Sequence, residues 1–278
     1  MQSKLSTGGK IWHICVIIVV IAYMLTPVFG TIMFSIADEW GGILPKGYTL
    51  KWYEELFNDL RFWQAIGRSF LVSILSTVIT LIVMVPAVFV AATYLPQYER
   101  LMQGIVLLPF ALPGIVLAVG LMRIYSSGPI PLTGTIWILV GVYFTVIMPY
   151  VYQSVRNSLR SINAIQLVEA AEVLGAGKAQ AFLRVVLPNI MPGLLVAGLL
   201  SISLLLGEFV LANMLVGGSF EVLQVFLFHK FSISGHLVSA IIVIFFTVIF
   251  FFYLIILTIS GRRPKAKPVA IAEEGDQA

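Results

Sequence analysis

The chain has 278 residues, of which 59% are hydrophobic and 11% charged, against about 25% charged in an ordinary soluble domain. At a mean hydropathy of +1.00, so little charge cannot cover a water-facing surface, which excludes a soluble enzyme and, for the same reason, a disordered chain. The net charge of +4 is spread between apolar blocks, so it reads as membrane orientation and not as a nucleic-acid footprint.

A helix needs roughly 20 apolar residues to cross the hydrocarbon core, and six stretches offer them. Residues 1–10, with Lys4 and Lys10, are expected at the cytoplasmic face. The first stretch, Ile11–Ala37, is too long for a signal peptide and has no clean small-residue cleavage site after its apolar core, so it reads as a retained span. Cys15 and His13 lie inside it, and Cys15 can form no internal disulfide. The 38–68 segment is expected as an external loop. Within it Thr49 could cap a helix running through Leu50, Trp52, Tyr53, Leu56, Phe57 and Leu60, with Lys51, Glu54, Glu55 and Asp59 alongside. Such a helix fits an interfacial role, anchored by Trp52, Tyr53 and Trp63, as well as it fits plain packing on the protein.

The second span is expected over Ser69–Tyr94, with Pro86 inside it. The third, Leu101–Tyr125, gathers Pro109, Pro113 and Gly114, three helix breakers that mark it as the hinge candidate. The fourth runs over Leu132–Val155 and contains Pro149 and Met148. Arg156 and Arg160 follow at i and i+4, where they are expected to anchor at lipid headgroups. The fifth is expected over Pro192–Val216. It holds Glu208, and a carboxylate at that depth costs several kcal/mol unless it faces a cavity or a partner. Taken by itself, Glu208 reads either as a cation ligand on a translocation path or as a structural or gating group. Asn213 lines the same path or bonds a neighbouring helix. The sixth span is expected over His236–Ser260, and Gly261–Ala278 as a disordered cytoplasmic tail. His229 and His236 stand at no metal-ligand spacing, and no nucleophile–base or acid pair is visible, so no catalytic and no metal site is expected.

Six spans put both termini on one side, with the segments near 95–100 and 156–188. That side collects Arg100, Arg156, Arg160, Lys178, Arg184 and the basic run Arg262–Lys267, most of the 17 Lys and Arg, which makes it cytoplasmic.

The 156–188 segment is too long and regular for a simple connector. Asn163 with Gln166 reads as a capping box for a short helix with Leu167, Ala170, Ala171 and Leu174 on one stripe. Gly175, Ala176 and Gly177 break it, and a second amphipathic piece runs from Lys178 to Leu187 before Pro188. This helix–turn–helix, with small Ala170, Ala171 and Gly175, implies a docking partner protein. It is no phosphate loop: the positions a Walker A pattern needs as Gly and Ser or Thr are Glu172 and Ala179.

The run EAAEVLGAGKAQAFLRVVLP, Glu169–Pro188, resembles the EAA loop of permease subunits in binding-protein-dependent ABC importers. Glu169, Ala170, Ala171, Gly175, Leu187 and Pro188 fall on that family's pattern. Val185 stands for its Ile, and Gly177 sits where a helix-capping polar residue is common. The resemblance implies an all-α membrane protein with six transmembrane helices, a type I ABC-importer permease (MetI-like) architecture with a cytoplasmic coupling helix, over residues 11–260. It implies that Glu169, Ala170, Ala171, Gly175, Val185, Leu187 and Pro188 couple to an ATPase, which binds and hydrolyses the ATP, so this chain is no enzyme and needs no cofactor. Two ATPases, a second permease, similar or identical, and an extracytoplasmic solute-binding protein are the implied partners, with membrane lipids and no nucleic acid. The implied location is a prokaryotic inner membrane, multi-pass, with both termini cytoplasmic.

Wording around Lys51–Asp59 and Ser201–Gly218 is similar to the spermidine/putrescine branch, which implies polyamine transport, although Glu208 stands alone where that branch often has an acidic pair. Branches for 2-aminoethylphosphonate, ferric iron and other small solutes share much of the pattern and are the alternatives. An ion-coupled secondary transporter, the reading from another class, should show inverted repeats and would leave the cytoplasmic knob without a purpose.

Overall fold

The computed structural model describes residues 7–42, 45–127 and 131–261; Lys4, the basic run after Gly261 and the rest of the expected tail lie outside them. The described chain is built from helices, α1 (Thr7–Ser35), α2 (Lys51–Asn58), α3 (Leu60–Thr93), α4 (Glu99–Leu107), α5 (Gly114–Tyr125), α6 (Ile136–Ser161), α7 (Ala164–Val173), α8 (Lys178–Ala181), α9 (Leu187–Leu206), α10 (Val210–Leu215), α11 (Leu223–Phe231) and α12 (Gly235–Gly261). Five helical stretches are long and apolar enough to cross a membrane. A sixth crossing exists if the bent pair Pro96–Ala111 and Gly114–Tyr125 counts as one.

Where the helices depart from the expected spans, proline, glycine and capping chemistry give the reason. Thr49 Oγ1 accepts the Lys51 N–H at 3.1 Å, but the N-cap position of α2 falls to Leu50, which makes no side-chain cap bond, so Thr49 is not the expected cap. The helix stops at Asn58 instead of running through Leu60, because the extended Asp59 turns its carboxylate onto the Arg61 N–H at 2.9 Å and caps α3. The second span thus begins nine residues before the expected Ser69. The third span is not one continuous helix. Pro113 pushes Leu112 into an extended conformation, φ −107° and ψ 123°, and the two halves meet at 94°. By contrast, Pro86, Pro149 and Pro192 sit inside unbroken helices.

The expected fifth span shifts toward its N-terminal side. A π-helical turn, Phe182–Val186, joins α8 to α9, so Pro188 stands in the first turn of α9 instead of ending a helix. A widened turn gives the proline ring the room that regular α-geometry would deny it. At the other end α9 stops at Gly207, so Glu208 lies in a break and not within a helix.

α3, α6 and α9 form the centre of the bundle, and α12 carries α1 on its outer side. Small residues set the central spacing, as they do where no hydrophobic effect drives helices together in lipid. A Cβ on Gly193 of α9 would lie 2.1 Å from Ser158 Oγ and 3.1 Å from its Cβ on α6, and one on Gly198 would touch Leu81 and Thr77 of α3. At the α2 end, Leu56, Phe62, Phe226, Leu237 and Ile241 make a buried cluster. α2 is packed there: the Trp52 indole donates to the Ala37 carbonyl at 2.8 Å, and His236 stacks between Phe34 and Trp52.

Charge closes the same end. Glu221, 6% exposed, accepts from Arg61 Nη2 at 2.9 and 3.0 Å and pairs with His229 Nδ1 at 2.7 Å. Lys230 Nζ donates to Asp59 Oδ2 at 2.9 Å. Burial pushes the Asp59 carboxyl up, but Lys230 and the Arg61 and Phe62 amides outweigh it and hold it below its ordinary value.

The close α6–α9 approach gives a direct test. Gly193→Ala should destabilise the purified protein by about 1–3 kcal/mol, the usual cost of overpacking, read as a lower melting temperature in detergent. Adding Ser158→Ala should restore part of the loss, because it removes the nearer of the two clashing atoms.

Candidate functional site

The expected coupling segment forms a knob at the end of the bundle opposite α2. Its buried face is Ala164, Val168 and Ala171, not the expected stripe of Leu167, Ala170, Ala171 and Leu174. Glu169 and Ala170 are exposed, and the tip presents Val173 and Leu174 at 87% and 88% exposure. The expected capping box is absent. Asn163 adopts a left-handed φ of 50° and its side chain makes no cap bond, a conformation asparagine tolerates better than most residues.

Gly175 has a clear backbone task. At φ +83° it follows the last turn of α7, its N–H donates to Glu172 O at 2.9 Å, and the Ala176 N–H donates to Ala171 O at 3.0 Å. This pair of bonds is the Schellman closure, which favours glycine at the left-handed position. A Cβ there would meet nothing within 4 Å, so conformation and not crowding selects glycine. Val185 lies in the π turn and, with Leu187, packs on the inner core; Pro188 is exposed in the first turn of α9.

Tyr94, at the end of α3, ties this knob to the bundle. Its hydroxyl donates to Glu172 Oε1 at 3.2 Å, and Lys178 Nζ sits 4.6 Å from its ring centroid. Burial, together with the Glu172 charge, pushes the phenol up. Phe182 packs on Phe89 beneath it in a tilted arrangement, with ring centroids 4.6 Å apart. Arg156 does not stand free for headgroups as expected. It is paired with Glu99 at the start of α4, a contact spanning 57 residues. Neither Tyr94 nor the Arg156–Glu99 pair carries a local motif, so the sequence marks neither as part of the knob.

The membrane-depth residues lie at the far end of α9. Its 20 residues separate Pro188 from Glu208 by about 30 Å. Glu208 Oε1 accepts the Leu211 N–H at 2.8 Å and Oε2 accepts the Ala212 N–H at 3.0 Å. The Tyr143 hydroxyl of α6 donates to Oε2 at 3.4 Å. Gln224 Nε2 donates to the Leu206 carbonyl at 3.1 Å across the same break. Asn213 is half-buried on α10. Pro109, Pro113 and Gly114 lie at the 94° bend, and α5, which leaves that bend, packs against α10. The structure thus brings the hinge candidates' helix beside the one Glu208 caps, and keeps both distant from the knob.

Comparison with known proteins gives a family. Residues 65–266 match the family described as binding-protein-dependent transport system inner membrane component. A Salmonella typhimurium permease protein named for 2-aminoethylphosphonate transport, PhnV, is 27% identical over 208 residues, covering 75% of this chain and 78% of its own length. The spermidine/putrescine transport system permease protein PotC of Haemophilus influenzae is 27% identical over 210 residues, covering 76% and 80%. Among solved structures, a bacterial ABC transporter involved in import of the acidic polysaccharide alginate superposes with a TM-score of 0.72 at 17% identity, over 92% of this chain and 99% of that one. The same kind of transporter in complex with an alginate pentasaccharide-bound periplasmic protein gives 0.63 at 18% identity, over 91% and 94%.

If Glu208 acts as a cap, Glu208→Ala should cost about 1–3 kcal/mol by leaving buried N–H groups unpaired. Glu208→Gln, which keeps one acceptor oxygen, should cost less. Thermal unfolding in detergent reads both. A group serving solute alone would leave stability unmoved.

Proposed function

Because the chain belongs to the family of inner membrane components of binding-protein-dependent transport systems, as a permease subunit of an ABC importer, we propose that it lines the solute path and couples it to a separate ATPase through the α7 knob. The observation that carries the coupling role is the exposed, apolar tip of Val173 and Leu174 beside Glu169 and Ala170, set on a rigid Schellman turn. Two ATPase subunits, a second permease, similar or identical, and an extracytoplasmic solute-binding protein complete the proposed assembly. The knob end is the cytoplasmic side, in keeping with the basic residues collected there. Push on the knob reaches Glu208 through α9, a single helix locked to α6 at Gly193 and Ser158.

The break at Leu112–Pro113 supports the path. Pro113 offers α5 no side-chain cap, and the residues Ala111–Val116 are exposed. Irregular backbone at membrane depth is tolerated only where protein covers it or water reaches it. We assign this segment to the face that the second permease and the path share, with Pro109, Pro113 and Gly114 as its hinge and Asn213 nearby.

For the solute we propose a small amine-bearing molecule, the feature common to the substrates named for PhnV and PotC. Of the two, the geometry favours 2-aminoethylphosphonate over a polyamine. Both Glu208 oxygens accept backbone N–H groups and Oε2 also accepts from the Tyr143 hydroxyl, so most of the carboxylate's acceptor sites serve the fold instead of a polycation.

Two experiments check these readings. A cysteine at Leu174 should crosslink to the ATPase subunit in inverted vesicles, whereas one at buried Val168 should not; equal labelling of both, or of neither, removes the coupling assignment. Calorimetry of the cognate solute-binding protein should show heat with 2-aminoethylphosphonate and none with spermidine or putrescine, and the reverse pattern restores the polyamine.

A further inference from the structure

The half of α6 nearer the knob carries polar side chains that the described chain leaves open. Tyr143, Tyr150 and Asn157 stand at i, i+7 and i+14, about two turns apart each time, so they share one side of the helix. Tyr143 is buried in one cluster with Ala118 of α5 and Leu211 and Ala212 of α10, and its hydroxyl donates to Glu208. That cover ends near the Leu112–Pro113 bend, where the rings of Phe110 and Tyr150 meet edge to face with centroids 5.5 Å apart. From there Tyr150, Gln153, Asn157 and Arg160 are all exposed. Each is three or four residues from the next, so they are neighbours on the helix surface.

These groups do not suit a lipid-facing surface. On α1 and α12 the exposed Thr26, Thr31, Thr247 and Thr258 each donate to a carbonyl of their own helix, which satisfies the hydroxyl without water. The α6 amides cannot close on themselves in this way. Gln153 Nε2 donates to Asn157 Oδ1 at 3.2 Å, which leaves Gln153 Oε1 and the Asn157 amino group without partners among the described residues. Open polar groups on a spanning helix belong against water or another polar surface. The one charge in this stripe, on Arg160, is positive, and the adjacent Arg156 is already neutralised by Glu99. A hydroxyl and two amides leading to a guanidinium suit an oxyanion.

We propose that this stripe is a wall of the cytoplasmic half of the solute path, with Gln153 and Asn157 as specificity-determining residues that pass an oxyanion-bearing solute from the bend toward Arg160. The proposal rests on the reading of the bend as part of the path. It extends that path from Ala111–Val116 to a second helix and names the end of the solute that is recognised, the phosphonate and not the amine.

The test uses the assembled transporter in inverted membrane vesicles, with Cys15→Ser so that each introduced cysteine is the only one in this chain. Cysteines replacing Gln153 and Asn157 should react with water-soluble methanethiosulfonates. The anionic sulfonatoethyl reagent should gain roughly tenfold over the cationic trimethylammonium-ethyl reagent, relative to their rates with free cysteine, and Arg160→Gln should remove that gain. Neither readout needs solute or ATP, so both stand if the proposed solute or the ATPase coupling is wrong. In energised vesicles, Asn157→Asp should slow 2-aminoethylphosphonate uptake at least about tenfold by setting a like charge against the phosphonate. Asn157→Ser should keep most of the uptake, and ATP hydrolysis should hold in both variants as the check on folding and assembly. If the wild-type transporter does not take up 2-aminoethylphosphonate, the solute assignment falls and the labelling decides alone. Silence at both cysteines overturns the proposal, and a disulfide to the second permease then assigns the stripe to the subunit interface. Labelling without a charge preference, or uptake unchanged by Asn157→Asp, overturns it as well.

Discussion

Inside a bilayer no water is present to satisfy a helix end, so every interruption of a helix at membrane depth must bring its own partner. This requirement shapes the structure more than any other. At the end of α9, the Gln224 amide takes the Leu206 carbonyl and the Glu208 carboxylate takes the first amides of α10. At the start of α11, Ser69 Oγ accepts the Leu223 N–H at 2.7 Å in a buried position. Each of these polar side chains would be costly alone in hydrocarbon. Each is stabilising here because it substitutes for missing water, and together they allow short helices to turn within the bundle.

The same requirement separates a rigid part from an adjustable one. α9 is the rigid part. It enters through a π turn that accepts Pro188, approaches α6 at Gly193 with no room for a methyl group, and ends at a fully partnered break. The bend at Leu112–Pro113 is the opposite case, with an uncapped α5 and exposed backbone. Tyr94 and the Arg156–Glu99 pair fix where the knob sits on the bundle, at the ends of α3 and α6.

The two ends of the molecule use charge differently. At the α2 end, Glu221 is buried against Arg61 and His229, 160 and 8 residues away in sequence, so its carboxylate serves to join α3 to α11. At the knob end, one pair is closed and two charges stay open to a cavity.

The sequence by itself determined the membrane class, the approximate positions of the crossings and the glycine-closed turn after α7. Those features follow from local composition and from backbone rules acting over a few residues, as when a positive φ selects Gly175. Only the tertiary structure decided that Glu208 caps a helix, that Ala171 and not Leu174 faces inward, that Arg156 is held by Glu99, and that the third span bends by 94°. Periodicity shows that a residue is polar or apolar at a given angle around a helix. It does not show which of several neighbours, 57 to 160 residues away, will stand opposite. Nor does it show why Pro113 breaks a helix while Pro149 does not, since that depends on whether other helices satisfy the freed backbone groups.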